Sequence, residues 1–381
     1  MGRGGCGALT GPLRSRNFRL LVTAVTVSRL GDAFAIVAQP FAIFALGGNV
    51  AHVGFAATVT VLPTVLFLLF GGVIADRLPR HQVLACAHVA EGVTQAVAAV
   101  LVLTGAGHPW HLVALAAVRG TAGGFTVPAE QGLLPQTVDA DQLSKANATV
   151  RLGRNTSQVI GSAVGGLLVG LLGPGWALLL DAATFGVAAL CRAWMRIAPD
   201  VDRIPGTSLV HELREGWHEF VGRQWLWVVV LQSAIVVAVH LGGMNVVGPL
   251  VAKEDLGGAT PWGFVLAALS LGMVIGALVM LRWQPRRMLL AATVSVFFEI
   301  PPLLGLAVPL SVPVLCVATF ATGVSMGVFG VCWSTTMMQE IPSRLLSRVS
   351  AYDAFGSFAF APIGGAVAGP VAVHVGVRPR W

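Results

Sequence analysis

The stretch Gln136–Gly166, QTVDADQLSKANATVRLGRNTSQVIGSAVGG, returns further along as Gln339–Gly369, QEIPSRLLSRVSAYDAFGSFAFAPIGGAVAG, at an offset of 203. Gln136, Leu143, Ser144, Gly153, Gly161 and Gly166 recur at Gln339, Leu346, Ser347, Gly356, Gly364 and Gly369. Shared richness in Gly and Ala inflates such a match, but the polar L-S-[KR] that precedes the apolar run in both copies is harder to produce by composition. Each copy leads from a charged segment into an apolar run of bilayer length. A parallel repeat of six spans per half is the economical explanation.

Composition fixes the solvent. Of 381 residues, 55% are hydrophobic and 11% charged, against about 25% charged in a soluble domain. Mean hydropathy is +0.79, so apolar stretches recur along the whole chain. With about 20 residues needed per crossing, the sequence predicts eleven spans, at 18–46, 53–75, 82–104, 110–134, 147–172, 175–195, 224–251, 261–281, 287–308, 312–335 and 347–376. The predicted fold class is an all-α integral membrane protein. Residues 1–195 form an N-terminal six-helix bundle, and 196–223 a cytoplasmic linker whose IPGTSLVHELREGWHEF reads as a Pro-Gly break and an amphipathic helix. Residues 224–381 form a C-terminal bundle of five spans. A twelfth span is missing, which implies either a truncated chain or a dispensable last helix. Eleven spans would leave Arg378 and Arg380 outside, against the charge rule, and this favours truncation.

The net charge of +7 does not indicate nucleic acid, because Lys and Arg fall between apolar runs and not on one soluble face. The connections alternate. One set holds Arg77 and Arg80, then Lys145, Arg151 and Arg154, then Arg192 to Arg223, then Arg282, Arg286 and Arg287, and finally Arg344 and Arg348; the other set is nearly uncharged. The positive-inside rule places the N-terminus in the cytoplasm and the chain in the plasma (inner) membrane, multi-pass. The apolar run after Arg14, Arg16 and Arg19 is too long for a signal peptide and reads as the first span. Five scattered cysteines form no C-x-x-C pair, so neither a metal site nor a disulfide framework is expected. No Walker A sequence and no G-x-S-x-G nucleophile occur, so neither ATP hydrolysis nor a membrane-embedded hydrolase is expected, and no cofactor is implied.

At the second inter-span turn the chain reads GGVIADRLPRHQVL, Gly71 to Leu84. This resembles the signature loop of the major facilitator superfamily, G-x-L-A-D-R-x-G-R-[KR]-x-x-L. With R-x-x-x-G at Arg119–Gly123 and the P-A-E-Q-G-L-L-P run after it, the chain resembles the drug-exporter branch of that superfamily, of the bacterial multidrug or macrolide efflux type. There are departures. Pro79 stands where the family has Gly and His81 where it has a cation, LRWQPRRMLL in the second half lacks the Asp, and GSAVGG at Gly161–Gly166 has Ser162 where the antiporter motif has Pro. The resemblance implies two pseudo-symmetric bundles around a central cavity lined by spans one, four, seven and ten. It also implies a monomer that exchanges protons for a small-molecule substrate. An uptake carrier or uniporter, for which Ser162 speaks, and a truncated non-transporting protein are the alternatives.

Ionisable side chains at membrane depth cost about 2.5–3.5 kcal/mol, so each needs a partner or a task. Asp32 in SRLGDAF is either a proton acceptor in a desolvated site or half of a self-neutralising pair with Arg29 one turn away. Arg119 stays charged when buried and either holds a carboxylate or tethers backbone carbonyls; in the resembled exporters an Arg here is linked to proton transfer. Gln232 and His240 in span seven face the cavity if that helix is suitably rotated. Glu91, Asp181, Glu299 and Asp353 are secondary candidates. Gly72, Asp76, Arg77 and Arg80 form the cytoplasmic gating loop, in which Asp76 would meet the positive N-terminal end of span eleven.

Overall fold

The computed structural model describes residues 11–77, 79–197, 209–283, 285–308 and 310–375, with backbone only at 68–77, 127–128, 131, 140, 209–213, 343–344, 347 and 375. Every described regular element is helical. The chain forms two compact units, one of Met1–His52 with Val59–Pro199 and the other of Val53–Thr58 with Asp200–Trp381.

In the first unit, α1 (Arg16–Ala45) starts where the Ser15 hydroxyl accepts from the Phe18 amide at 3.3 Å, an N-cap that satisfies one orphan donor. It is followed by α2 (Val50–Arg77), α3 (Arg80–Thr104), α4 (Pro109–Leu133), α5 (Leu143–Leu172) and α6 (Pro174–Ala193). The tightest reversal, α5 to α6, turns on Gly173 at φ +89° with Pro174 at the first helical position, where its absent N–H costs nothing. Helix α1 packs on α5 and α6, and α3 on α4 and α6. Phe18, Leu21, Leu84, Leu133 and Val150 close one end of this unit.

The second unit holds α7 (Leu209–Gly222), α8 (Gln224–His240), a π segment (Leu241–Val247), α9 (Gly248–Asp255), α10 (Ala259–Val279), α11 (Met288–Ser295), a 3₁₀ turn (Val296–Glu299), α12 (Ile300–Ala307), α13 (Val312–Glu340), α14 (Ser343–Phe358) and α15 (Ala361–Val375). Helix α7 docks on α8 and α14, where Glu215 pairs with Arg348. Helices α10 and α13 touch backbone to backbone through Gly272, Gly276, Gly323 and Gly327, the small-residue contact that lets helices associate where no hydrophobic force separates side chain from lipid.

Three spans that the sequence presents as continuous leave regular α geometry, and proline is the cause in each. A Pro has no N–H and clashes with the carbonyl four residues back. Pro301 and Pro302 act on Phe297 and Phe298, where the 3₁₀ turn lies, and Pro362 acts on Phe358, where α14 ends. Pro249 does the same at Asn245, inside the π segment. The Phe298 carbonyl so released finds a hydroxyl donor on α13, Thr322 at 2.6 Å, and Ser325 of the same helix donates to Ser295 O.

Among the described residues, ten helical stretches are long and apolar enough to cross a membrane. The expected span at 110–134 is the 25-residue helix α4. Large apolar side chains face outward, including Leu171, Phe297 and Val317, while Asp181, Ser162, Arg192 and Thr319 are fully buried. This inversion of a water-soluble protein is what hydrocarbon solvent demands.

Candidate functional site

Three helices of the first unit bring their charges together. Asp32 on α1 accepts from Arg119 on α4, Nη2 to Oδ1 at 2.6 Å, and from Arg29, Nη1 to Oδ2 at 3.3 Å. Arg119 also reaches Gln39 Oε1 at 3.5 Å, and its guanidinium carbon lies 6.0 Å from the centre of the Phe185 ring on α6. It is within Coulombic reach of Asp181 and Glu91 as well. Asp32 is therefore held by two cations from two helices, not by Arg29 alone.

A second layer surrounds Glu130 on α4. Its Oε2 accepts from Arg154 at 2.6 Å and lies 3.7 Å from Arg29 Nη2, while Oε1 accepts from Arg192 at 3.3 Å. Arg192 is fully buried, and its Nε and Nη1 have no partner. Arg29 thus bridges the two layers, with one nitrogen on Asp32 and the other beside Glu130.

The layers follow from helical spacing. Arg119 and Glu130 are eleven residues apart on α4, and Asp181 and Arg192 are eleven apart on α6. Eleven residues make about three turns, so each pair lies on one face of its helix. Helices that run in the same direction then place Arg119 level with Asp181 and Glu130 level with Arg192. Asp181 takes a hydrogen bond from Gln95 on α3, and its Oδ1 is buried without a partner. Helix α1 approaches this carboxylate because residue 31 is Gly; a Cβ there would collide with Asp181 Oδ1 and Thr184 Oγ1. Glu91 is paired with His88 at 3.0 Å within α3.

Of the other residues singled out in the sequence, His240 meets Glu299 at 3.0 Å in the second unit. Asp353 accepts from Trp333 Nε1 at 3.0 Å and from Ser357 at 3.4 Å. Gln232 is half-buried on α8 and joins neither group. The side chains of Gly72, Asp76 and Arg77 lie outside the described residues, so the gating contact proposed for Asp76 does too. The Arg80 guanidinium rests against α4 in the space left by Gly132. The reading of charge by loop position missed Glu130, Arg154 and Arg192, although the paired eleven-residue spacing was visible in the sequence.

The described residues contain no group of three or more His, Cys, Asp and Glu side chains that could hold a metal ion. What the first unit offers is carboxylates whose cationic partners are shared, so that loss of one charge frees a cation for another.

Residues 21–369 match the family profile described as Major Facilitator Superfamily. The multidrug efflux pump Tap of Mycolicibacterium fortuitum is 25% identical over 377 residues, covering 95% of this chain and 90% of the relative. The enterobactin exporter EntS of Escherichia coli O1:K1 is 25% identical over 337 residues, covering 87% of this chain and 80% of the relative. Among solved structures, the nucleoside transporter NupG superposes with a TM-score of 0.74 at 14% identity, over 94% of this chain and 91% of that one. A D-xylose-proton symporter superposes with a TM-score of 0.69 at 13% identity, over 94% and 92%. These structural likenesses establish the fold.

Proposed function

The chain belongs to the major facilitator superfamily, and from that premise we propose that it is a secondary active exporter that exchanges protons for amphiphilic small molecules. The N-terminus lies in the cytoplasm, on the charge asymmetry of the connections, and the two bundles alternate access to a central site in the plasma membrane. The direction of transport is supported by the exporters among its relatives. The proton coupling is carried by one observation, the 2.6 Å contact between Arg119 and Asp32 that ties span one to span four.

Ionised Asp32 engages both Arg119 and Arg29. A proton on Asp32 cancels the charge that holds them. Arg29 is then left with Glu130, beside which it already lies, and Arg119 with Asp181. Each outcome changes how α1 sits against α4 and α6. A ligand shifts a conformational equilibrium only by its differential affinity for the two states, and here the proton binds best to the state in which the arginines are otherwise satisfied.

The test is export of a fluorescent amphiphilic dye from loaded bacterial cells, comparing the wild type with Asp32→Asn, with and without an uncoupler. Export that stops in the uncoupler and in the variant supports proton-coupled efflux through Asp32. Export by the variant at the wild-type rate and with the same uncoupler sensitivity removes Asp32 from the mechanism.

A further inference from the structure

The second unit contains an ionisable pair that the proposed exchange does not use. His240 is the last residue of α8 before the π segment, and Glu299 is the last residue of the 3₁₀ turn between α11 and α12. Two spans therefore leave α geometry at the place where their ionisable side chains meet. Such irregularities cluster at functional sites, and in transporters they expose oxygen atoms to ions.

Beside the pair is a cavity of about 130 Å³ lined by Ser233, Ser295, Glu299, Ser325 and, on its apolar side, Val236 and Phe329. The Ser295 hydroxyl donates to Ala292 O at 2.7 Å and the Ser325 hydroxyl to Ser295 O. Both protons are committed to backbone, so each of these hydroxyls keeps only acceptor lone pairs. Glu299 uses Oε2 for His240, which leaves Oε1 for another partner. The polar part of a mostly apolar wall is thus the Glu299 carboxylate and the serine hydroxyls.

We infer that this cavity binds one small monovalent cation between the Glu299 carboxylate and the hydroxyl oxygens of Ser295 and Ser325. Charge points the same way. Between Gln224 and Ala252 of span seven, and throughout the described parts of α10 to α13, no Lys or Arg occurs, so His240 is the sole basic neighbour that these spans give Glu299. With a neutral imidazole the site carries one negative charge at membrane depth, which is costly unless offset.

Size decides the class. A water occupies roughly 30 Å³ of liquid, so the cavity accommodates an ion with a few waters, whereas pockets for organic ligands run from about 300 Å³ upward. A lone carboxylate also falls short of the ligand sets that Ca²⁺ and Mg²⁺ require. Na⁺ fits both limits.

The experiment is equilibrium binding of radiolabelled Na⁺ to the purified full-length chain in detergent at pH 8, with choline as the inert salt. Saturable one-to-one binding, displaced by unlabelled Na⁺, is expected. It should weaken at least tenfold in Glu299→Gln and weaken measurably in Ser325→Ala. Absence of saturable binding to monodisperse wild-type protein overturns the inference. If Glu299→Gln does not fold, wild-type affinity in a monodisperse Ser295→Ala/Ser325→Ala variant overturns it as well. Dye export that persists when choline replaces external and internal Na⁺ leaves the proton-exchange reading standing, and the binding measurement alone decides this site.

Discussion

Glu130→Gln is expected to be the most destabilising isosteric substitution in the first unit. The carboxylate is 8% exposed and serves three arginines, of which Arg29 and Arg154 are 35% and 37% exposed and Arg192 is not exposed at all. Partly exposed pairs contribute about 0–1 kcal/mol each, since either arginine can turn to water. Arg192 cannot. Its one hydrogen-bonded nitrogen is the one on Glu130, and removing one partner of a buried pair costs about 3–5 kcal/mol because the other charge is stranded.

For a unit of this size, about 2–4 °C of thermal midpoint accompanies each kcal/mol, so Glu130→Gln should lower the midpoint of the detergent-purified protein by roughly 6–20 °C. Arg154→Gln should lower it by no more than about 4 °C on the same scale. Arg192→Met should fall between these, because Glu130 keeps two cations. The double variant Glu130→Gln/Arg192→Met should cost less than the sum of the singles by about 0.5–3 kcal/mol, the coupling expected of side chains in contact. The assay is the midpoint of loss of the monodisperse peak in size-exclusion chromatography after heating. A Glu130→Gln midpoint within 2 °C of wild type, or an Arg154→Gln loss as large as that of Glu130→Gln, would refute the assignment of the energy to buried Arg192; 2 °C is about 0.5–1 kcal/mol on the same scale.

Two glycine substitutions give opposite expectations. In Gly323→Leu the new Cβ meets the Leu269 carbonyl and lies 2.9 Å from Gly272 Cα; backbone cannot yield without parting α10 from α13, so the cost should exceed the about 1–3 kcal/mol of ordinary overpacking and the yield of monodisperse protein should collapse. Gly330→Leu on the same helix, where a Cβ meets nothing within 4 Å, is the control and should purify normally. Gly132→Ala displaces only the far end of the Arg80 side chain, so its thermal midpoint should stay within about 2 °C of wild type, a surface-scale change.

The bundle was legible because hydrocarbon imposes a ruler: an apolar run near 20 residues has one use. Breaks within spans nine and eleven were not read, although Pro301, Pro302 and Pro362 dictated where they fall. Asp32, Arg29 and Arg119 stood out because each interrupts an apolar run, and the structure brings all three together. Arg154 and Arg192 did not stand out, since basic residues near span ends usually set topology. Their burial depends on which helix faces which, and a single sequence gives spacing along a helix but not its rotation.

The repeat also shows what was kept and what was allowed to diverge. Gly153 lets α5 close on Thr26 of α1, and its counterpart Gly356 lets α14 close on Val230 of α8; Gly161 and Gly364 repeat the relation at Ala33 and Ala238. Equivalent glycines thus make equivalent close approaches, because a helix crossing depends on the backbone distance that only a missing Cβ permits. The polar load follows no such rule. Helix α1 carries Arg29 and Asp32 through its apolar run, whereas α8 has no charged residue from Gln224 to Val239, and Arg154 of the first copy is Ser357 in the second. Packing constrains both halves alike, while buried charge is placed where a partner on its own or another helix meets it. In the first unit, α4, α5 and α6 supply those partners. In the second, His240 faces Glu299 across two proline-distorted spans, and Asp353 is met by Trp333 and not by a cation.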